Sequence, residues 1–127
     1  MLKPAELLWN RACNPDCDAT CPGDRALAGL LLAHGLAMNG GVLHAVECLD
    51  EARFDRAVLG YRYFGLPAIA DLLIRARSLL SSEDLADDVE SELDLAYGAV
   101  VPDDSLLTAL FEAHYAGHPD AYAPADE

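Results

Sequence analysis

The sequence predicts an all-α protein: a single compact bundle of about six to seven helices, with no sheet. Three observations carry that prediction. Apolar residues recur at three- and four-residue steps, and nothing alternates at period two over a useful length. Gly and Pro punctuate the boundaries between the periodic stretches, at Pro22-Gly23, Gly40-Gly41, Gly65-Leu66-Pro67 and Pro102. The chain has 127 residues, 53% of them hydrophobic. That is enough for one core and too little for two, so residues 1–127 form one domain.

The elements follow in order. Pro4 suits a first helical turn, and Ala5–Ala12 continues it. Residues 13–23 hold two prolines and three cysteines and read as a loop. Asp24 is placed to cap Arg25–Met38, an apolar stretch expected to be buried. Asn39-Gly40-Gly41 breaks that helix, and Val42–Leu49 forms a short one. Asp50 caps the next, through about Tyr63. Gly65-Leu66-Pro67 is a second break, and Pro67 opens Ala68–Leu80 with a stripe of Ile69, Leu72, Leu73, Ala76 and Leu80. Ser81 or Ser82 can cap an acidic helix whose stripe is Leu85, Val89, Leu93 and Tyr97. After a turn at Val100–Asp104, Asp104 or Ser105 starts a last helix that ends at His118-Pro119. Residues 121–127 read as a loose tail.

Charge separates the two parts of the chain. The net charge is −14. Residues 1–77 hold all eight Lys and Arg residues against nine acids, a balance of −1. The other thirteen acids lie in residues 78–127, where there is no Lys or Arg, so that part carries −13. Such a segment must be neutralised by arginines of the first part, by counterions or by a basic partner. Direct nucleic-acid binding through it is disfavoured, because phosphates are repelled. The longest apolar runs are too short to span a bilayer, and Glu6, Asn10 and Arg11 interrupt any secretory signal. A cytoplasmic location with reduced thiols is the expectation.

The main candidate site is the acidic stretch Glu83, Asp84, Asp87, Asp88, Glu90, Glu92 and Asp94, extended by Asp103 and Asp104. Carboxylates four residues apart on a helix lie about 6 Å apart along its axis. That approaches the spacing of neighbouring phosphates on a DNA strand. A rigid surface of this kind steers toward a basic groove, with strong salt dependence. The plain alternative is a solvated helix face.

Cys13, Cys17 and Cys21 form the candidate metal set, since thiolates suit zinc. Their x3 spacing departs from paired zinc knuckles, and no fourth ligand is obvious; a disulfide or free thiols in a surface loop are the alternatives. Asn39, Gly40 and Gly41 could offer backbone N–H groups to an anion, but a tight structural turn with positive φ accounts for them better. His44 and Glu47 share a helix face and could bind metal or relay a proton. His34, on an apolar helix, reads as a hydrogen-bonded core histidine. Tyr61, Tyr63 and Phe64 read as core or dimer interface. No nucleophile has a convincing partner, so the sequence gives little support to catalysis.

These segments resemble a known bacterial family. Met38-Asn39-Gly40-Gly41-Val42-Leu43-His44 is similar to the Asn-Gly-Gly-x-x-Gln motif of a domain of unknown function whose best-known member is an acidic DNA mimic. Tyr63–Leu73, Leu93-Asp94-Leu95-Ala96-Tyr97 and His118-Pro119-Asp120-Ala121-Tyr122 resemble later segments of that domain in the same order. His44 stands where the family has Gln, and Ala45 where an aromatic is usual. The resemblance implies an all-helical fold, a homodimer, no established enzymatic activity and a nucleic-acid-binding protein as partner. The expected function is thus a regulatory binding protein whose acidic helical surface meets a basic, DNA-binding protein. A metal-binding or redox-responsive protein using the cysteine loop is one alternative. A toxin-neutralising, immunity-like protein is the other.

Overall fold

The computed structural model describes residues 3–14, 20–81 and 88–124. Among the described residues run seven α-helices, one short 3-10 turn and no strand. They are α1 (Pro4–Ala12), α2 (Pro22–Gly40), α3 (Val42–Cys48), α4 (Glu51–Tyr63), α5 (Pro67–Leu80), α6 (Val89–Val100) and α7 (Asp104–Gly117). The fold is all-α, as the periodicity predicts.

Helix α2 is the axis of the bundle. It packs most extensively on α4, then on α3 and α1. Two glycines set how closely α2 and α4 approach. A Cβ at Gly29 would lie 2.7 Å from the Arg56 carbonyl oxygen, and one at Gly60 would collide with the Ala26 carbonyl. Pairing 29 with 56 and 26 with 60 also makes the two helices antiparallel. Leu27, Leu30 and Ala33 of α2 are buried against Phe54, Ala57 and Tyr61 of α4. The α5 stripe behaves as its spacing dictates: Ile69, Leu72, Leu73 and Ala76 are all buried. Helix α6 docks through Leu93 and Tyr97, both buried, with Val89 packed against the core.

Three sequence expectations change. Asp24 is not the cap of α2. That helix starts three residues earlier, at Pro22, with Cys21 as its cap. Asp24 is buried instead and accepts hydrogen bonds from Arg11 Nη2 at 2.7 Å and from the Ala123 N–H at 2.7 Å. The tail is not loose as far as Pro124. Tyr122 is buried, and Arg11 also donates to the carbonyls of Ala123 and Pro124. Asn39 and Gly40 do not break α2 but belong to it; the break is at Gly41 alone, whose φ of 96° disfavours any residue with a Cβ.

Candidate functional site

Helix α6 and the N-terminus of α7 carry the described part of the acidic stretch. Glu83, Asp84 and Asp87 lie outside the described residues. The other six divide into two groups. Asp88, Glu90 and Glu92 are exposed, and among the described residues their side chains make no hydrogen bond or ion pair. Asp94, Asp103 and Asp104 are each engaged by the fold. Asp94 Oδ1 accepts the Val42 N–H at 2.9 Å. Asp103 caps α7 by accepting the Ser105 N–H at 2.8 Å. Asp104 Oδ1 lies 2.5 Å from His34 Nε2. The acidic stretch is therefore partly a solvated face and partly internal structure.

The Asp94 contact also explains the Gly-Gly segment. Helix α3 begins at Val42, and its first N–H groups have no partner within the helix. A carboxylate in front of them is favourable both as a hydrogen-bond acceptor and against the helix dipole. A Cβ at Gly41 would sit 3.0 Å from Asp94 Oδ2, so glycine lets the carboxylate approach. The N–H that meets the carboxylate is that of Val42; the Gly41 N–H donates to the Ala37 carbonyl at 2.8 Å, so Gly41 serves as a structural turn with positive φ.

Charge pairing elsewhere is confined to the first part of the chain. Among the described residues the Arg–carboxylate pairs are Arg11–Asp24, Arg53–Asp50 and Arg62–Asp71, at 2.7, 3.5 and 3.5 Å. Every one joins residues before position 78. Among the described residues the one pair that reaches the acidic half is His34–Asp104. No arginine pairs with a carboxylate of α6, so Glu90 and Glu92 are left to solvent, counterions or a partner, while Asp94 is held by the Val42 N–H.

His34 is a buried, hydrogen-bonded core histidine, as its position on an apolar helix predicts. Its Nδ1 lies 2.7 Å from the Tyr97 hydroxyl, which lies 2.7 Å from the Tyr61 hydroxyl. An ionised Asp104 can only accept, so Nε2 must donate to it. With a neutral ring, Nδ1 then accepts from Tyr97 O–H, and the Tyr97 oxygen accepts from Tyr61 O–H. This assignment leaves no buried hydroxyl proton unpaired. Burial pushes the Tyr97 phenol up to about 12; the Tyr61 hydrogen bond opposes the rise and Asp104 adds to it. Burial, then Tyr97, raises Tyr61 well above its ordinary value. Both phenols stay protonated at neutral pH, which suits a structural relay.

The cysteine set is not assembled among the described residues. Cys13 is an exposed free thiol and Cys21 a half-buried one. Cys17 lies outside the described residues. No group of three or more His, Cys, Asp or Glu side chains among the described residues could hold a metal ion. Partial burial and the nearby Asp104 carboxylate push the Cys13 thiol up, the wrong direction for a reactive thiolate. His44 lies over Gly40 and sits 3.7 Å from Cys48 Sγ; no hydrogen bond or ion pair joins it to Glu47.

Two features have no counterpart in the sequence expectations. The first is a groove of about 490 Å³ along the outer face of α2, between Trp9, Cys13 and Asp104 on one side and Arg53 and Arg56 on the other. The second is an aromatic cluster on α7. His114 Nδ1 lies 2.8 Å from the Tyr122 hydroxyl, and its ring packs on Tyr63, Phe64 and His118. Within the Tyr61, Tyr63 and Phe64 group, Tyr61 and Phe64 are core, while Tyr63 is partly exposed.

No family model, curated protein or solved structure matches the chain. No helix among the described residues is long and apolar enough to cross a membrane.

Proposed function

We propose that the chain is a non-enzymatic regulatory binding protein that presents the α6 surface to a basic protein, a DNA-binding protein in the reading that the family resemblance implies. One observation carries this: no arginine pairs with an α6 carboxylate, although the chain has eight Lys and Arg residues. The docking of Leu93 and Tyr97 supports it further, because buried anchors hold the exposed carboxylates at fixed spacing. Such a surface attracts a basic groove at long range and loses that attraction in salt.

The test is capture of partners from the native cell, with DNA as competitor. Binding should fall when salt reaches about 1 M, where the Debye length is about 3 Å. It should also fall when Asp88, Glu90 and Glu92 are changed together to Lys. Those three side chains make no hydrogen bond or ion pair, but they stand at the cap and first turn of α6, where lysines oppose the helix dipole. The neutral Asp88→Asn, Glu90→Gln, Glu92→Gln variant, melted beside the parent, keeps loss of binding distinct from loss of fold. A partner retained by the triple variant, or indifferent to salt, would rule the proposal out. The resemblance also implies a homodimer, which sedimentation of the purified chain would read directly.

A further inference from the structure

The groove beside α2 invites a ligand of the opposite sign to the acidic surface. We propose that it binds one small amphipathic carboxylate, with the apolar body lying along α2 and the carboxylate at Arg25 and Arg56.

The floor is apolar. Ala28, Leu31, Leu32 and Leu36 of α2 are only half-buried, although this helix is apolar on nearly every side. Helices α3 and α4 cover its other face, so these side chains are left to line the groove. A volume of about 490 Å³ lies within the range of small-molecule sites, roughly 300–1,000 Å³. Trp9 forms part of one wall, and Gly35 leaves an opening in which an added Cβ would meet nothing within 4 Å.

The rim supplies the cations. Arg53 and Arg56 stand one turn apart on α4, and Arg25 stands at the start of α2. Among the described residues Arg25 and Arg56 have no carboxylate partner, and Arg53 holds only an exposed one in Asp50. Two unpaired guanidinium groups beside one apolar groove are unusual in a chain of net charge −14. Guanidinium groups bind carboxylates bidentately, which fixes the headgroup at this rim. Asp104 also lines the groove and repels an anion, which favours the carboxylate at the arginines rather than beside it.

Decanoate is the probe, kept below its micelle concentration, with 1-decanol as its uncharged counterpart. Trp9 is the chain's single tryptophan and reports from the groove wall. We expect a saturable blue shift of its emission with decanoate. The field of the whole chain opposes an anion, so any preference for the acid must come from the groove's own arginines. Decanoate should bind about tenfold or more tightly than decanol, the worth of one charge-assisted hydrogen bond. Arg25→Gln with Arg56→Gln should bring decanoate to the decanol level. Gly35→Leu should abolish both, and it should melt no lower than the parent, because it fills open space and removes a helical glycine. Equal affinity for acid and alcohol, binding that survives in Gly35→Leu, or no saturable shift overturns the proposal.

Discussion

Asp94 of α6 closes the N-terminus of α3, its Oδ1 accepting the Val42 N–H at 2.9 Å across 52 residues of sequence. This carboxylate therefore stabilises the fold, whereas Glu92, two residues away, makes no contact. Asp94→Ala should cost about 1 kcal/mol in urea unfolding, the typical worth of a cap. Glu92→Ala should stay within about 0.5 kcal/mol of the parent. Equal effects would show that the cap contributes nothing.

The Tyr61–Tyr97–His34–Asp104 relay makes an ordered prediction. Tyr61→Phe removes the terminal donor and should cost about 1 kcal/mol. Tyr97→Phe strands both the Tyr61 hydroxyl and His34 Nδ1, two buried groups, and should cost about 2–4 kcal/mol. Denaturant midpoints of the two variants decide it. If Tyr61→Phe is the more damaging, the Tyr97 hydroxyl is not the linking member of the relay.

Asp24 ties the two ends of the described chain together. Asp24→Ala strands the Ala123 N–H and leaves Arg11 only its bonds to the Ala123 and Pro124 carbonyls. We expect a loss of about 2 kcal/mol, moderated because Arg11 is partly exposed. We also expect faster proteolytic cleavage near Tyr122. A variant as resistant as the parent would mean that Tyr122 packing alone holds this segment.

His114 gives the fold a pH dependence. Burial, with His118 adding, holds its imidazole below the ordinary value of 6.5. Protonation therefore favours the unfolded chain. The contribution is complete above about pH 6.5 and is lost as pH falls below it. His114→Gln should lose less melting temperature than the parent between about pH 7.5 and about pH 5.5. Carboxylates titrate alike in both proteins, so the difference isolates the histidine. Parallel losses would remove His114 from the account.

Much of the fold was legible because local rules govern it. Asp50 accepts the Arg53 N–H at 2.8 Å, as an N-cap should. The α5 stripe and the burial of His34 follow from periodicity. The acids were misjudged for a physical reason. Asp24, Asp94 and Asp104 find partners 99, 52 and 70 residues away, and no local pattern names a partner at that range. The groove did leave a trace. Neither Arg25 nor Arg56 has an acid three or four residues away on its helix, so neither could be satisfied locally.

The clip between Arg11 and residues 123 and 124 has a consequence for synthesis. These partners are 112 and 113 residues apart. At about 5–20 residues per second, roughly 6–22 s separate their emergence from the ribosome. Helix α1 can lean on α2 during that interval, but Asp24 and Arg11 wait for their last ligands. Helix α1 is thus made before helices α2 to α7, yet it is secured only when residues 123 and 124 arrive.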